Sequence, residues 1–121
     1  MNELKVIVAG GRDFNDYNLL STVLFDYAES VGEEVSVSIV SGMARGADKL
    51  AHTFAKNEGV QVHEFPADWD AYGKCAGFIR NDQMSVFADA LIAFHDGSSK
   101  GTTNMIQTMR RMGKPVLIIR Y

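Results

Sequence analysis

The sequence predicts an α/β fold of three layers, a five-stranded and mainly parallel sheet with helices on both faces. Two observations predict it. Short β-branched or apolar runs alternate along the whole chain with segments whose apolar residues recur at steps of three and four. The connections between runs are long enough for helical crossovers, which join parallel neighbours.

Leu4–Ala9 is a β-branched run closed by Gly10-Gly11, the first strand. Asn15 or Asp16 can cap the helix Tyr17–Val31. Its apolar face is Leu20, Val23, Leu24, Tyr27 and Val31, and Gly32 is the stop. Val35–Val40 is the second strand. A helix from about Ala47 to Asn57 buries Leu50, Ala51, Phe54 and Ala55 and ends at Gly59. Val60–Phe65 is the third strand, ended by Pro66, and Ala67–Gly77 has no periodicity and predicts an irregular loop. The rest reads as a helix over about Gly77–Ala88, the strand Ala90–Phe94, a helix to Met112, the turn Gly113-Lys114-Pro115 and the strand Val116–Arg120. No repeat, low-complexity tract or linker interrupts the pattern, so residues 1–121 are expected to form a single domain.

Composition narrows the function classes. With 121 residues, 46% hydrophobic and 22% charged, the chain has the make-up of a globular protein with its own core. The single cysteine, Cys75, excludes an internal disulfide and fits a reducing compartment. There is no signal-peptide pattern and no apolar run of about 18 residues, so a cytoplasmic location off the membrane is expected. The net charge of −3 argues against a general DNA or RNA coater, and a nucleic acid partner is not expected. No His/Cys/carboxylate spacing has the pattern of a metal site, and no cofactor is implied.

In a parallel sheet the loops leaving the strands' C-terminal ends share one edge, where ligands bind. Gly10–Phe14, Ser41–Asp48, Pro66–Gly77 and Asp96–Asn104 should therefore converge, although they lie far apart in sequence. Five of the 12 Lys and Arg residues, Arg12, Arg45, Lys74, Arg80 and Lys100, fall in or beside these loops. Basic groups gathered at one edge of an acidic protein point to a small anionic ligand, and guanidinium forks suit phosphate. The central stretch is Asp96–Asn104, a strand exit in Gly, Ser and Thr that opens a helix, where free N–H groups and the helix dipole favour an anion.

The candidate ligand-binding residues follow from these loops. The first loop supplies Gly10, Gly11, Arg12 and Asp13, and the second Ser41, Gly42, Arg45, Gly46 and Asp48. Trp69, which can stack on a base, and Lys74 come from the third, and Arg80 and Asn81 from the helix after it. The fourth supplies Asp96, Gly97, Ser98, Ser99, Lys100, Gly101, Thr102 and Thr103. Arg80, Asp96 and Asp13 are the candidate catalytic groups. His95, beside Asp96, is a better functional candidate than His52 or His63, and Met105, Met109 and Met112 read as core filler. The glycine loops match neither the P-loop nor the dinucleotide fingerprint.

Four ordered motifs carry a family resemblance. They are Gly-Gly-Arg-Asp-Phe at 10–14, Ser-Gly-Met-Ala-Arg-Gly-Ala-Asp at 41–48, Ala-Gly-Phe-Ile-Arg-Asn-Asp-Gln-Met at 76–84 and Asp-Gly-Ser-Ser-Lys-Gly-Thr at 96–102. Together they resemble the YspA-like (cpYpsA-related) branch of the SLOG superfamily, which also includes the DNA-processing SMF proteins and the LOG-type phosphoribohydrolases. The resemblance implies a Rossmann-like domain that binds nucleotides or NAD- or ADP-ribose-like ligands. LOG enzymes carry an Arg-Lys pair and a Gly-Gly-x-Gly-Thr-x-x-Glu loop. Arg80, Gly101 and Thr102 match, but Asn81 replaces the Lys and Met105 stands where the Glu would be. The binding half of the motif is present and its catalytic carboxylate is missing.

The leading expectation is a binder of a nucleotide-derived small molecule, acting as sensor, carrier or sequestering protein. In it Arg12, Arg45, Arg80 and the Gly97–Thr103 loop hold phosphate, Ser41, Gly42 and Asp48 line the sugar, and Trp69 covers the base. The alternative is a hydrolase acting at a nucleotide's glycosidic or phosphate bond. A homo-oligomer formed through Met109 or Phe87 is compatible with the pattern.

Overall fold

A computed structural model describes residues 2–121. Five strands, β1 (Asn2–Gly10), β2 (Val35–Ser41), β3 (Val62–Glu64), β4 (Ala90–His95) and β5 (Val116–Arg120), form one sheet in the order β3-β2-β1-β4-β5. Every pairing is parallel, from Asn2 opposite Val35 to Gly10 opposite Phe94. The helices are α1 (Tyr17–Val31), α2 (Ala47–Glu58), the single turn α3 (Trp69–Tyr72), α4 (Ala76–Phe87) and α5 (Lys100–Arg111).

Alternation along the central strands divides the core in two. Val6, Val8, Ile39, Ile92 and Phe94 face one side, against Leu20 and Leu24 of α1 and Ala51, Phe54 and Ala55 of α2. Ile7, Ala9, Val40, Leu91 and Ala93 face the other, against Met84 of α4 and Met105, Ile106 and Met109 of α5. The three-layer α/β architecture is thus as the sequence predicts, and the Rossmann-like description holds, with every strand parallel. No helix among the described residues is long and apolar enough to cross a membrane.

Local chemistry explains most boundaries. Asp16 caps α1 by accepting from the Leu19 N–H at 3.0 Å, and Gly32 ends the helix at φ 91°. Lys114 closes α4 from a distance: its ammonium donates to the carbonyls of Ser85 and Ala88 at 2.7 Å each, satisfying groups at the helix C-terminus. The stretch expected to be irregular contains α3 and a 3₁₀ turn, Gly73–Cys75, because Asp68 accepts from the Ala71 N–H at 3.1 Å and starts a helical turn. Met109 is fully buried, and Phe87 packs against Phe65 and His63, so neither offers the free apolar face that an interface through them requires.

Gly46 ties the first two loops together. It sits at φ 80°, and a Cβ there would overlap the Gly11 carbonyl and lie 2.9 Å from Arg12 Cα. The β2–α2 turn therefore presses directly on the backbone that carries Arg12. Substituting Gly46→Ala is expected to cost about 2–4 kcal/mol, from the positive φ and the overlap together. Urea unfolding measures it, and a cost under about 0.5 kcal/mol would reject this packing.

Candidate functional site

The loops converge on a cavity of about 500 Å³ at the C-terminal edge of the sheet, within the usual range for small-molecule sites. Arg12 enters from the β1–α1 loop, Gly42, Met43, Ala44 and Arg45 from the β2–α2 turn, and Pro66, Ala67, Trp69 and Lys74 from the segment after β3. Gly77, Phe78, Arg80 and Asn81 line it from α4, and Gly101 from the first turn of α5.

Its electrostatics are one-sided. Arg12, Arg45, Lys74 and Arg80 all line it, and no Lys or Arg among the described residues has a carboxylate within 4.0 Å. Arg12, Arg45 and Lys74 are exposed, whereas Arg80 is half-buried. Burial lowers the Arg80 pKa, Asp48 raises it and Arg12 lowers it further. A guanidinium stays cationic under such pressures. Its Nη1 donates to the Gly42 carbonyl, and its Nε donates to Asn81 Oδ1 at 3.0 Å.

Asn81 is buried and works as a brace. Its amide donates to Asn104 Oδ1 at 2.9 Å and to the Gly101 carbonyl at 3.4 Å, joining α4 to the start of α5 and setting the Arg80 fork. Gly42 lies between two charges. A Cβ on it would come within 2.6 Å of Arg80 Nη1 and 3.0 Å of Asp48 Oδ2, so a larger residue would displace one of them. The turn continues through Met43 at φ 62°, a left-handed conformation costing a side-chain-bearing residue on the order of 1 kcal/mol. The Met43 N–H donates to Ser41 Oγ at 3.1 Å and the Ala44 N–H to Asp48 Oδ2 at 3.4 Å.

Asp48 itself is 6% exposed. Burial pushes its carboxyl up to about 6, against the pull of Arg80 and of the Ala44 and Gly42 N–H groups. Ser41 is fully buried, and its hydroxyl faces the Asp48 carbonyl at 3.5 Å. Ser41, Gly46 and Asp48 thus support the turn from beneath, and they are not among the residues that line the cavity.

The α5 entry differs from its expected role. Asp96 accepts from the N–H groups of Ser98 and Ser99 at 2.8 and 2.9 Å, and these bonds hold its carboxyl below the usual range. Ser99 caps α5, its Oγ accepting from the Thr102 N–H at 3.4 Å. The chain's own carboxylate and hydroxyl thus take the Ser98, Ser99 and Thr102 N–H groups, three of the donors that an anion was expected to find. Of the eight candidates from this loop, Gly101 alone lines the cavity, while Asp96, Gly97, Ser98, Ser99, Lys100, Thr102 and Thr103 do not.

Gly10, Gly11 and Asp13 also lie outside the lining. Asp13 accepts from the Tyr121 hydroxyl at 3.1 Å. His95 is buried; it accepts the Gly97 N–H at Nδ1, which leaves Nε2–H to donate to Thr103 Oγ1 at 3.0 Å. Asp13, Asp96 and His95 are therefore engaged in loop structure. Met105 is 1% exposed within the apolar cluster under α5, so the position that carries Glu in the LOG motif points into the core here.

Sequence reasoning missed Phe78, which is 49% exposed and lines the cavity beside Trp69, 55% exposed. Its signal was its place in the 76–84 motif, two residues before Arg80. Met43, Ala44, Pro66, Ala67 and Gly77 were also not singled out.

Comparison with known proteins adds four findings. A family model described as "YspA, cpYpsA-related SLOG family" matches residues 4–72. The Gene 61 protein of Mycobacterium phage D29 is 34% identical over 119 residues, covering 93% of this chain and 94% of that protein. DNA processing protein A from Streptococcus pneumoniae has a TM-score of 0.75 at 18% identity, over 95% of this chain and 50% of that one. The Helicobacter pylori protein of the same name has a TM-score of 0.65 at 18% identity, over 95% and 64%. The chain thus spans about half to two thirds of these DNA-processing proteins, and the likeness shows the fold.

The Helicobacter pylori structure is described for its single-stranded DNA binding mode. This corrects the expectation, drawn from the net charge, that a nucleic acid is not a partner. Net charge averages over the whole surface, whereas four cations here are gathered in one cavity. The motif order read from the sequence, the family match and the phage relative agree, and the chain belongs to the YspA, cpYpsA-related SLOG family.

Proposed function

We propose that this chain binds a nucleotide unit in the cavity, its phosphate held by Arg80 with Arg12, Arg45 and Lys74, and its base against Trp69 and Phe78. One observation carries the reading: four cations without a carboxylate partner within 4.0 Å share a cavity with two half-exposed aromatic rings. Cations alone would suit any small anion. The rings add an apolar, π-rich wall, which is what a base requires.

The unit is carried by a free NAD- or ADP-ribose-like nucleotide, with the protein acting as sensor, carrier or sequestering protein. Family membership supports a nucleotide-related ligand, and the NAD- or ADP-ribose-like class follows from the motif resemblance. A second reading, the same unit within a single strand, draws on the Helicobacter pylori neighbour. Binding is favoured over hydrolysis because Asp13 and Asp96 are engaged in loop hydrogen bonds and position 105 is an apolar core residue.

Trp69 is the chain's one tryptophan, so its fluorescence reports on the site directly. Titration with ADP-ribose or a short oligothymidylate is expected to quench it. Lack of quenching and of measurable binding by both probes would end this reading. Arg80→Ala should weaken binding of the active probe by about 2 kcal/mol, roughly thirtyfold, with the circular dichroism spectrum unchanged. Unaltered affinity would remove Arg80 from the site.

Salt dependence separates the two carriers. A strand that places two or three phosphates on these cations should lose affinity with a log–log slope of about −1.5 to −2. A flat response, with ADP-ribose binding more tightly than the strand, would select the free nucleotide.

A further inference from the structure

A buried carboxylate underlies the cavity wall. Asp48, 6% exposed in the first turn of α2, lies across Gly42 from Arg80. The turn that carries Gly42, Met43 and Ala44 meets its carboxylate through the Ala44 N–H, while the Ser41 hydroxyl faces the main-chain carbonyl of residue 48. We propose that Asp48 is a positioning residue whose proton occupancy sets how strongly the cavity takes an anion against Arg80, so that anion capture is accompanied by proton uptake. This rests on the phosphate-binding reading above.

The argument is one of competition for a single guanidinium. The charged side chain acting on Asp48 is Arg80, from α4. Arg12, from the β1–α1 loop, acts on Arg80 with the opposite sign to Asp48. β2 contributes the neutral Ser41, and the turn contributes backbone N–H groups. Ionised Asp48 neutralises part of the field that Arg80 offers to a ligand. An anion arriving at Arg80 brings a second negative charge towards a buried site, where screening is weak, and so favours the protonated carboxyl. Burial already brings this carboxyl up to about 6. By linkage, affinity rises as pH falls through that value.

The test is isothermal calorimetry with ADP-ribose and with oligothymidylate, whose own charges are constant between pH 5.5 and 7.5. The wild-type protein should bind about threefold to tenfold more tightly at pH 5.5, one pKa unit corresponding to about tenfold. Heats in buffers of different ionisation enthalpy should report net proton uptake near pH 6. The Asp48→Asn variant should bind at pH 7.5 at least as tightly as wild type, with no pH dependence and no proton exchange. A role confined to holding the turn would instead weaken D48N at both pH values.

A pH profile retained in D48N, or weaker binding at both pH values, would overturn the proposal. Should D48N not fold, the wild-type proton count decides alone, and a count of zero near pH 6 overturns it. Binding without proton exchange removes the role of Asp48 and leaves the phosphate reading intact. No binding of either probe at any pH removes both.

Discussion

Gly42 separates a half-buried guanidinium from a buried carboxylate, and the rest of the site depends on that separation. The turn can pass between Arg80 and Asp48 only because residue 42 has no side chain. Its carbonyl then takes an Arg80 N–H, and the Ala44 N–H two residues on meets Asp48. One turn thus satisfies part of each charged group without letting them collapse into a direct pair. A closed ion pair would leave little field for a ligand. Held apart, Arg80 keeps its outward donors for the cavity.

The sheet supplies the geometry that makes this separation stable. β1 is central, and the chain places β2 and β3 on one side of it and β4 and β5 on the other. The loops leaving β1 and β4 consequently run to opposite faces and open a crevice at the strands' C-terminal ends. The cavity occupies the α4 side of that crevice. Two braces keep it in register. Gly46 presses the β2–α2 turn onto the backbone bearing Arg12, and Asn81 links the Arg80 fork to Gly101 and Asn104.

The fold was legible because two physical signals were strong and local. The β-branched runs and the three-and-four spacing located every main element, and α1 and β5 matched at both ends. The convergence of Arg12, Arg45, Lys74 and Arg80 was also legible, since it follows from parallel topology alone. Other features required three-dimensional accounting of donors. Nothing in Asp-Gly-Ser-Ser reveals that Asp96 fills the Ser98 and Ser99 N–H groups itself, which turns an expected anion loop into a self-capped one. Phe78 was missed because apolar residues on an amphipathic helix read as core, and only packing shows which lie at its edge. The argument against nucleic acid rested on a sum of charges, which carries no information about their placement.

The cost of burying Asp48 gives the site its last physical constraint. The folded-state value, about 6, lies above the ordinary 3.8, so the folded protein holds the proton more tightly than the unfolded chain. The resulting stabilisation is complete below the lower value and is lost as pH rises through the upper one, a swing of about 3 kcal/mol. The penalty is largest in the absence of an opposing cation, and Arg80 is the cation that reduces it. The pair therefore links the fold to the cavity: whatever draws Arg80 towards a ligand raises the cost of leaving Asp48 ionised beneath it.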